Sequence, residues 1–512
     1  MDVCDGFRSA EPVVILEKAF AQPFKNFVAT AKTCYSGAGI IRDETLAPGY
    51  DALAQSIYDA GHHTTLQHAH FQFTLANVSR QFIWSFLHSH PFYNSEQVSQ
   101  RYVSVKPDRF IIPSLSPAAE AIYLEGIHAQ MAAYLRLCER LHPLVESEYS
   151  KLFPRHRRNF NRDIKKKAQE IARYVVPIGA FAHLYHTISG LTLLRYYRLC
   201  RQYDTPAEQR LVIGKMVAEL LAFDPEYEKI LEEPLPIEET PEFPFFEKRS
   251  LETTHEYLRE FDAELGERCS RLSDYKIHQE ATLAASVRDV LGLPKSALTD
   301  TEAIRLVLDP SRNRLLGESL NLTSHSKLSR ALFHPSYTFR KKLSHTADSQ
   351  DQRHRMTPAS RPALLAHVTD TPDYIVPALI RQDDEIFRDY REVMSDCWER
   401  FGRLKRMGVP IEYALYLLPN ALSVRMTESA DLLNLRHKHA MRLCYNAQEE
   451  IWRASLEEAE QIRAVHPEIG RYLLPPCTLR EMAQMRPICP EGERYCGVKV
   501  WRLDLHEYQR VI

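Results

Sequence analysis

Apolar and polar residues alternate over 68–76 (HAHFQFTLA), which predicts a strand with one buried face. The same alternation returns at 334–342 (HPSYTFRKK). Upstream, residues 10–40 predict a helix that runs into CYSG, with a turn at Ser36-Gly37, and 48–60 predicts a short amphipathic helix stopped by Gly61. The stretch 78–103 (VSRQFIWSFLHSHPFYNSEQVSQRYV) opens as an apolar-rich helix and ends in a polar run carrying Ser99, Arg101 and Tyr102. An amphipathic helix is expected from Pro117 to about Lys151. A second helix carries Arg173 into the break at Val176-Pro177, and a third follows from about Ala180 to Arg201. In the second half, helices are expected over 251–292. Residues 417–442 (LLPNALSVRMTESADLLNLRHKHAMR) match 175–200 (VVPIGAFAHLYHTISGLTLLRYYRLC) in length, Pro position and apolar spacing. Both read as an apolar-Pro break followed by a long amphipathic helix. Such a pattern predicts an internal duplication with a period far longer than a solenoid repeat.

The 512 residues suit two or three domains. Residues 226–250 are rich in Pro and Glu and read as a linker. The expected organisation is a first repeat at 1–225, the linker at 226–250, a second repeat at 251–468 and a Pro- and Cys-containing tail at 469–512. A formal net charge of -2 favours neither nucleic acid nor membrane as partner. No apolar run reaches the roughly 18 residues of a membrane span, and the first residues lack the basic-then-apolar order of a signal peptide. Ten scattered cysteines read as reduced thiols of a cytoplasmic protein.

Several groups carry candidate chemistry. A helix feeding Ser99-Gln100-Arg101 can grip an anion through hydroxyl, backbone N–H and guanidinium; the plainer reading is a surface loop. The basic run at 155–167 is a solvated helix face or a polyanion-docking surface. Cys477, Cys489, Cys496 and His506 have ligand types suited to zinc, but their spacing is not that of paired Cys-x-x-Cys knuckles, and unliganded thiols are favoured. Clustered His62, His63, His68 and His70 more simply pack and hydrogen-bond than hold a metal. No metal is expected.

Three segments together resemble the flavin-dependent thymidylate synthase family: ATAKTCYSG, GHHTTLQHAHFQF and the Ser99-Gln100-Arg101 turn. The family signature is Arg-His-Arg, two residues, Ser, four residues, Ser, one residue, Arg. The first repeat keeps only its right-hand end; the triplet has become Ser89-His90-Pro91 and the first Ser has become Asn94. The second repeat keeps the left-hand end as Arg353-His354-Arg355, with Gln350 three residues earlier at the offset of a substrate-contacting Gln in the family. The same split recurs at two nucleotide-contacting arginines: Arg173 with Cys200 in the first repeat, Leu415 with Arg442 in the second. Asn446-Ala447-Gln448-Glu449-Glu450-Ile451 is similar to the family's HAQ-x-E-I helix.

The resemblance implies an α+β fold: two fused, diverged copies of a helix-rich fold with small antiparallel sheets, forming a pseudo-dimer. It implies reductive methylation of dUMP to dTMP, with methylenetetrahydrofolate as carbon donor, reduced FAD as hydride donor and NADPH restoring the flavin. Because the family builds its nucleotide site between subunits, complementary loss implies a composite site. Ser99, Gln100, Arg101 and Arg173 come from the first repeat, Gln350, Arg353 and Arg442 from the second. Flavin contacts map onto Ser36, Thr64, Gln67 (where the family has an acid), His354 and Arg355. Two such chains are expected to pair as a homodimer. The alternatives are one-carbon transfer to another pyrimidine nucleotide and a non-catalytic nucleotide-binding relative.

Overall fold

A computed structural model describes residues 6–47, 49–153, 160–202 and 204–512; Arg155–Asn159 of the basic run lie outside the described residues. The chain is α+β and holds two four-stranded antiparallel sheets, one per repeat. The first contains β1 (Val13–Ala19), β2 (His70–Ser79), β3 (Asn94–Gln97) and β4 (Phe181–Ser189), in the order β1-β2-β4-β3. The second contains β5 (Ser270–Tyr275), β6 (Ser336–Ser344), β7 (Ala359–Ser360) and β8 (Ser423–Asp431), in the order β5-β6-β8-β7. The two orders are the same, strand for strand, as a duplication requires.

The expected strands at 68–76 and 334–342 are the central β2 and β6. Three helical expectations are corrected. Residues 10–40 hold β1 before the helix Pro23–Thr33. The segments after the Pro breaks start as β4 and β8 and become helical only at Gly190–Arg198 and Leu432–Arg442. Residues 251–292 split into the helices Leu251–Leu265 and Gln279–Leu291 around β5. In each case a strand is sandwiched against a neighbour, and pairing overrides the local helical pattern. β4 alternates buried and open positions (FAHLYHTIS), but its apolar continuation into Leu191, Leu193 and Leu194 hides the change of period.

Matching hydrogen-bond clusters join the repeats. Ser79 caps the helix Arg80–Leu87 through Phe82 N at 2.9 Å, and Ser344 caps His345–Asp351 through Ala347 N at 3.1 Å. Buried Glu208 accepts from the backbone N–H and hydroxyl of Ser79 at 2.7 and 2.6 Å, and from the Tyr416 hydroxyl of the other repeat at 2.7 Å. Glu450 does the same with Ser344 and with Tyr174. Between these clusters the two Pro breaks pair: Ile178 N donates to Leu418 O at 2.8 Å and Asn420 N to Val176 O at 2.8 Å. Gly179 allows this approach, since a Cβ there would stand 2.9 Å from the Tyr416 carbonyl oxygen. The helices Pro117–Leu152 and Asp384–Arg406 pack together over a shared apolar core containing Ile127, Tyr134, Val176, Tyr390, Trp398 and Leu418.

Burial holds both Glu208 and Glu450 up to about 7, against the three hydrogen bonds each accepts. A carboxyl whose folded pKa is raised stays protonated in the folded protein after it has ionised in the unfolded chain. Its contribution to stability therefore falls as pH rises from about 4.3 toward 7. The variant Glu208→Gln should lose this dependence. Its stability relative to wild type should rise between pH 4.5 and 7.5, by up to about 3 kcal/mol. Denaturant melts at the two pH values measure it; a constant difference would contradict the burial argument.

Candidate functional site

The seven expected nucleotide contacts line one cavity between the repeats. Ser99, Gln100, Arg101 and Arg173 face Gln350, Arg353 and Arg442 there. β3 and the turn at 99–103 deliver Ser99, Gln100 and Arg101, while Arg173 stands at the end of the helix Asn161–Ala172; Tyr102 N and Val103 N close that turn on Ser99 O at 3.2 and 3.0 Å. The short helix His345–Asp351 delivers Gln350, and the helix Leu432–Arg442 ends on Arg442. Arg80 also lines the cavity, as do Gln97, Thr346 and Asn420. The sequence reading missed Arg80. Its signal was a cationic residue immediately after the helix cap in an otherwise apolar helix.

Arg101 and Arg442 are held from behind. Arg101 donates through Nε to Glu170 and through Nη2 to Asn446 O at 2.8 Å, so a second-repeat carbonyl fixes a first-repeat guanidinium. Asn446 is itself tied to the tail, donating to Arg494 O at 2.6 Å. Glu170 also accepts from Lys167 at 2.9 Å. Burial works against the Arg101 charge, and the Glu170 carboxylate more than offsets it. Arg442 donates through Nε to His354 Nε2 at 2.8 Å and through Nη2 to Gln350 O at 2.8 Å. Burial lowers Arg442 to about 10 and, with Arg173 nearby, Arg80 to about 9. Burial also keeps His354 well below the usual imidazole range, helped by Arg442, so it is neutral and can accept. Arg80 reaches Gln97 Oε1 at 2.8 Å, while Asn420 bridges Gln100 Oε1 at 3.1 Å and Arg173 O at 3.0 Å. The Nε atoms of Arg80 and Arg173 are buried without a hydrogen-bond partner among the described residues. Arg353 is half exposed and pairs with Glu96 at 3.3 Å.

The cavity lining thus carries five arginines and no carboxylate among the described residues. The arrangement suits an anion with several oxygens.

The pseudo-equivalent place is filled. Leu415 and Cys200, which match Arg173 and Arg442, are buried in apolar clusters. Counted from the caps Ser79 and Ser344, Trp84 stands where Ser349 stands in the cavity. Its indole donates to Asp348 at 2.8 Å, and Arg361 pairs with the same carboxylate at 2.9 Å.

The expected flavin contacts are not drawn together in this way. Thr64 and Gln67 are exposed on the 3-10 turn His63–Gln67, and Ser36 accepts only from Ala38 N, at 3.3 Å. None of the three lines the cavity. Arg355 donates to Pro91 O and Asn94 Oδ1 and lies 5.2 Å over the Tyr93 ring. Cys477, Cys489 and Cys496 line a small tail cavity with Cys444, while His506 is exposed beside Asp504. Among the described residues no three His, Cys, Asp or Glu side chains are placed to hold a metal, and no helix is long and apolar enough to cross a membrane.

Comparisons with known proteins accord with the duplicated fold. A flavin-dependent thymidylate synthase from Sulfurisphaera tokodaii is 32% identical over 154 residues, covering 29% of this chain and 59% of that protein. The Geobacter sulfurreducens flavin-dependent thymidylate synthase is 29% identical over 170 residues, covering 32% and 70%. The chain thus spans little more than half of the first relative's length. Among solved structures, a UMP/dUMP methylase from Streptomyces cacaoi bound with 5-Br dUMP matches 44% of this chain and 95% of its own, at 17% identity and a TM-score of 0.33. The family model for thymidylate synthase complementing protein matches twice, at residues 16–226 and at 272–468. The chain therefore belongs to the thymidylate synthase complementing protein family, with the family domain present in two copies.

Proposed function

We propose that the protein is a flavin-dependent thymidylate synthase-like enzyme that binds dUMP in the cavity between its repeats and methylates the pyrimidine. The observation that carries this reading is a cavity with five arginines and no carboxylate among the described residues, built by both repeats of a chain in this family. Ser99, Arg101, Arg80 and Arg173 hold the phosphate dianion. Arg442, fixed by His354 and the Gln350 carbonyl, faces the base and stabilises negative charge that develops on the ring. Gln350 and Arg353 complete the grip from the second repeat.

For FAD the donor set fits in part. Two residues after the cavity-lining Arg353, Arg355 is a cation fixed by Pro91 O, Asn94 Oδ1 and the Tyr93 ring, which suits the acceptor atoms of a flavin ring. His354 and Arg355 would hold the flavin there, with Ser36, Thr64 and Gln67 as further contacts. When bound, FAD supplies the hydride, methylenetetrahydrofolate the carbon and NADPH the reducing equivalents. The protein's share is orientation and charge.

Purified protein is expected to carry or take up FAD, read as a yellow flavin spectrum, and to restore growth of a thymidine-requiring strain. Colourless protein that binds no added FAD would overturn the flavoenzyme reading. Arg80→Ala should weaken dUMP binding by about tenfold to a hundredfold, the worth of a charge-assisted hydrogen bond. Calorimetric titration measures this; unchanged affinity would remove Arg80 from the phosphate grip.

A further inference from the structure

Behind the cavity a hydrogen-bonded chain runs from its lining to the Glu450 cluster. Gln448 is buried and does not line the cavity, yet its Oε1 accepts from two residues that do. One is Arg173, through Nη2 at 3.2 Å, and the other is Gln350, through Nε2. The first comes from repeat one and the second from repeat two. The Nε2 of Gln448 donates to the Tyr174 hydroxyl, which donates to Glu450 Oε2. Glu450 accepts in turn from the N–H and hydroxyl of Ser344, the cap of the helix that carries Gln350. Every donor in this chain points away from the cavity and toward one carboxyl. The amide is therefore held with its oxygen toward Arg173 and Gln350, because its nitrogen is already committed to Tyr174.

Among the described residues the pseudo-equivalent cluster has no such branch. Glu208 binds Ser79 and Tyr416 just as Glu450 binds Ser344 and Tyr174. The residue two before Glu208 is Pro206, where Gln448 stands two before Glu450. Proline has no side-chain donor or acceptor. The structural cluster is thus present twice, and its extension toward a cavity only once, on the side where the arginines are.

We propose that Gln448 is a positioning residue: it sets Arg173 and Gln350 against a bound pyrimidine nucleotide, and Tyr174 and Glu450 set Gln448. The inference rests on the nucleotide reading of the cavity. A single amide oxygen shared by a cation from one repeat and an amide from the other makes their positions interdependent. Loss of that oxygen leaves both side chains free to rotate and one buried guanidinium with a further unmet donor.

The test is a set of dUMP titrations on the full chain, with thermal melting alongside. Gln448→Leu and Tyr174→Phe, neither of which removes a cavity-lining group, should each weaken binding by about tenfold or more, the usual worth of a hydrogen bond to a charged group. Arg173→Lys keeps the charge but not the planar donor set. Combined with Gln448→Leu it should cost clearly less than the product of the two single losses, because both changes break one contact. A merely structural role would lower the melting temperature and give losses that multiply. Wild-type affinity in both Gln448→Leu and Tyr174→Phe, or strictly multiplicative losses, would overturn the proposal. If Gln448→Leu does not fold, near-isosteric Tyr174→Phe decides alone. Failure of wild-type protein to bind dUMP would instead overturn the nucleotide reading itself, which separates the two outcomes.

Discussion

Arg101→Ala and Arg442→Ala should each reduce dUMP binding by more than a hundredfold while leaving the fold intact. Each removes a guanidinium that is oriented on its far side by fixed acceptors: Glu170 and Asn446 O for Arg101, His354 and Gln350 O for Arg442. A preorganised cation loses little freedom on binding, so most of its contact with the ligand appears as affinity. Bonds to a charged group are worth about 1.5–3 kcal/mol each, and a bidentate grip doubles the count. At 1.4 kcal/mol per decade, two lost bonds exceed a hundredfold. Secondary effects act in the same direction. Without Arg101, Glu170 stands among the remaining cations as their counter-charge and draws Lys167 alone. Without Arg442, His354 loses its Nε2 donor. Calorimetry gives the affinity and melting curves give the fold. Wild-type affinity in either variant would remove that residue from the site.

The second large effect concerns stability. Asp351 closes the helix that carries Gln350, and its Oδ2 accepts from Lys341 and Lys438, both at 3.0 Å. Glu428 and Glu458 complete the cluster, with Lys341 reaching Glu458 at 2.8 Å. All five side chains are at most 1% exposed. Asp351→Ala takes a hydrogen-bonding acceptor from each of two buried ammonium groups, which keep only Glu428 and Glu458, and should destabilise the protein by about 3–5 kcal/mol. Burial opposes the Asp351 charge, but the two lysines outweigh it and hold its carboxyl well below the usual range. A depressed folded pKa gives stability that is present above the unfolded value, near 4, and is lost as pH falls. The gap between wild type and Asp351→Asn should therefore narrow in acid. Urea melts at pH 7 and pH 3.5 measure both; equal stability at pH 7 would contradict the account of the cluster.

This cluster also shows where sequence reading stops. Counted from the caps and Pro breaks, Asp351, Glu428 and Lys438 match Phe86, His186 and Tyr196 of the first repeat. There Phe86 packs against His186 and Tyr196 at 4.8 and 4.4 Å between ring centroids. The same core position is aromatic in one repeat and ionic in the other. No local pattern marks Lys341 and Glu428 as partners; the pairing of β6 with β8 brings them together. For the same reason β4 and β8 were read as helix starts. Their turn into helix at Ser189 and Asp431 is marked by side-chain caps, on Thr192 N and Asn434 N, with no Gly or Pro break before them.

The candidate cavity was more legible than the fold around it. Ser99, Arg101, Arg353 and Arg442 stood at motif offsets, and their complementary loss between repeats pointed to one shared place. What supports them was not visible. Glu170, Asn446 and Gln448 act through contacts between residues far apart in the sequence. Arg80 has no motif, only a position after a cap. The flavin residues carried an intermediate signal: His354 bonds the cavity arginine Arg442 and Arg355 bonds Asn94, whereas Thr64 and Gln67 are exposed on the first repeat.

The central claim is a single nucleotide cavity per chain, shared by the two repeats. Calorimetric titration of dUMP into the full chain tests it most directly. The account predicts one binding site per chain in the wild type, weakened more than a hundredfold as a whole in either Arg101→Ala or Arg442→Ala, although these residues lie in different repeats. Two sites per wild-type chain, or a variant in which half of the binding survives at undiminished affinity, would contradict it.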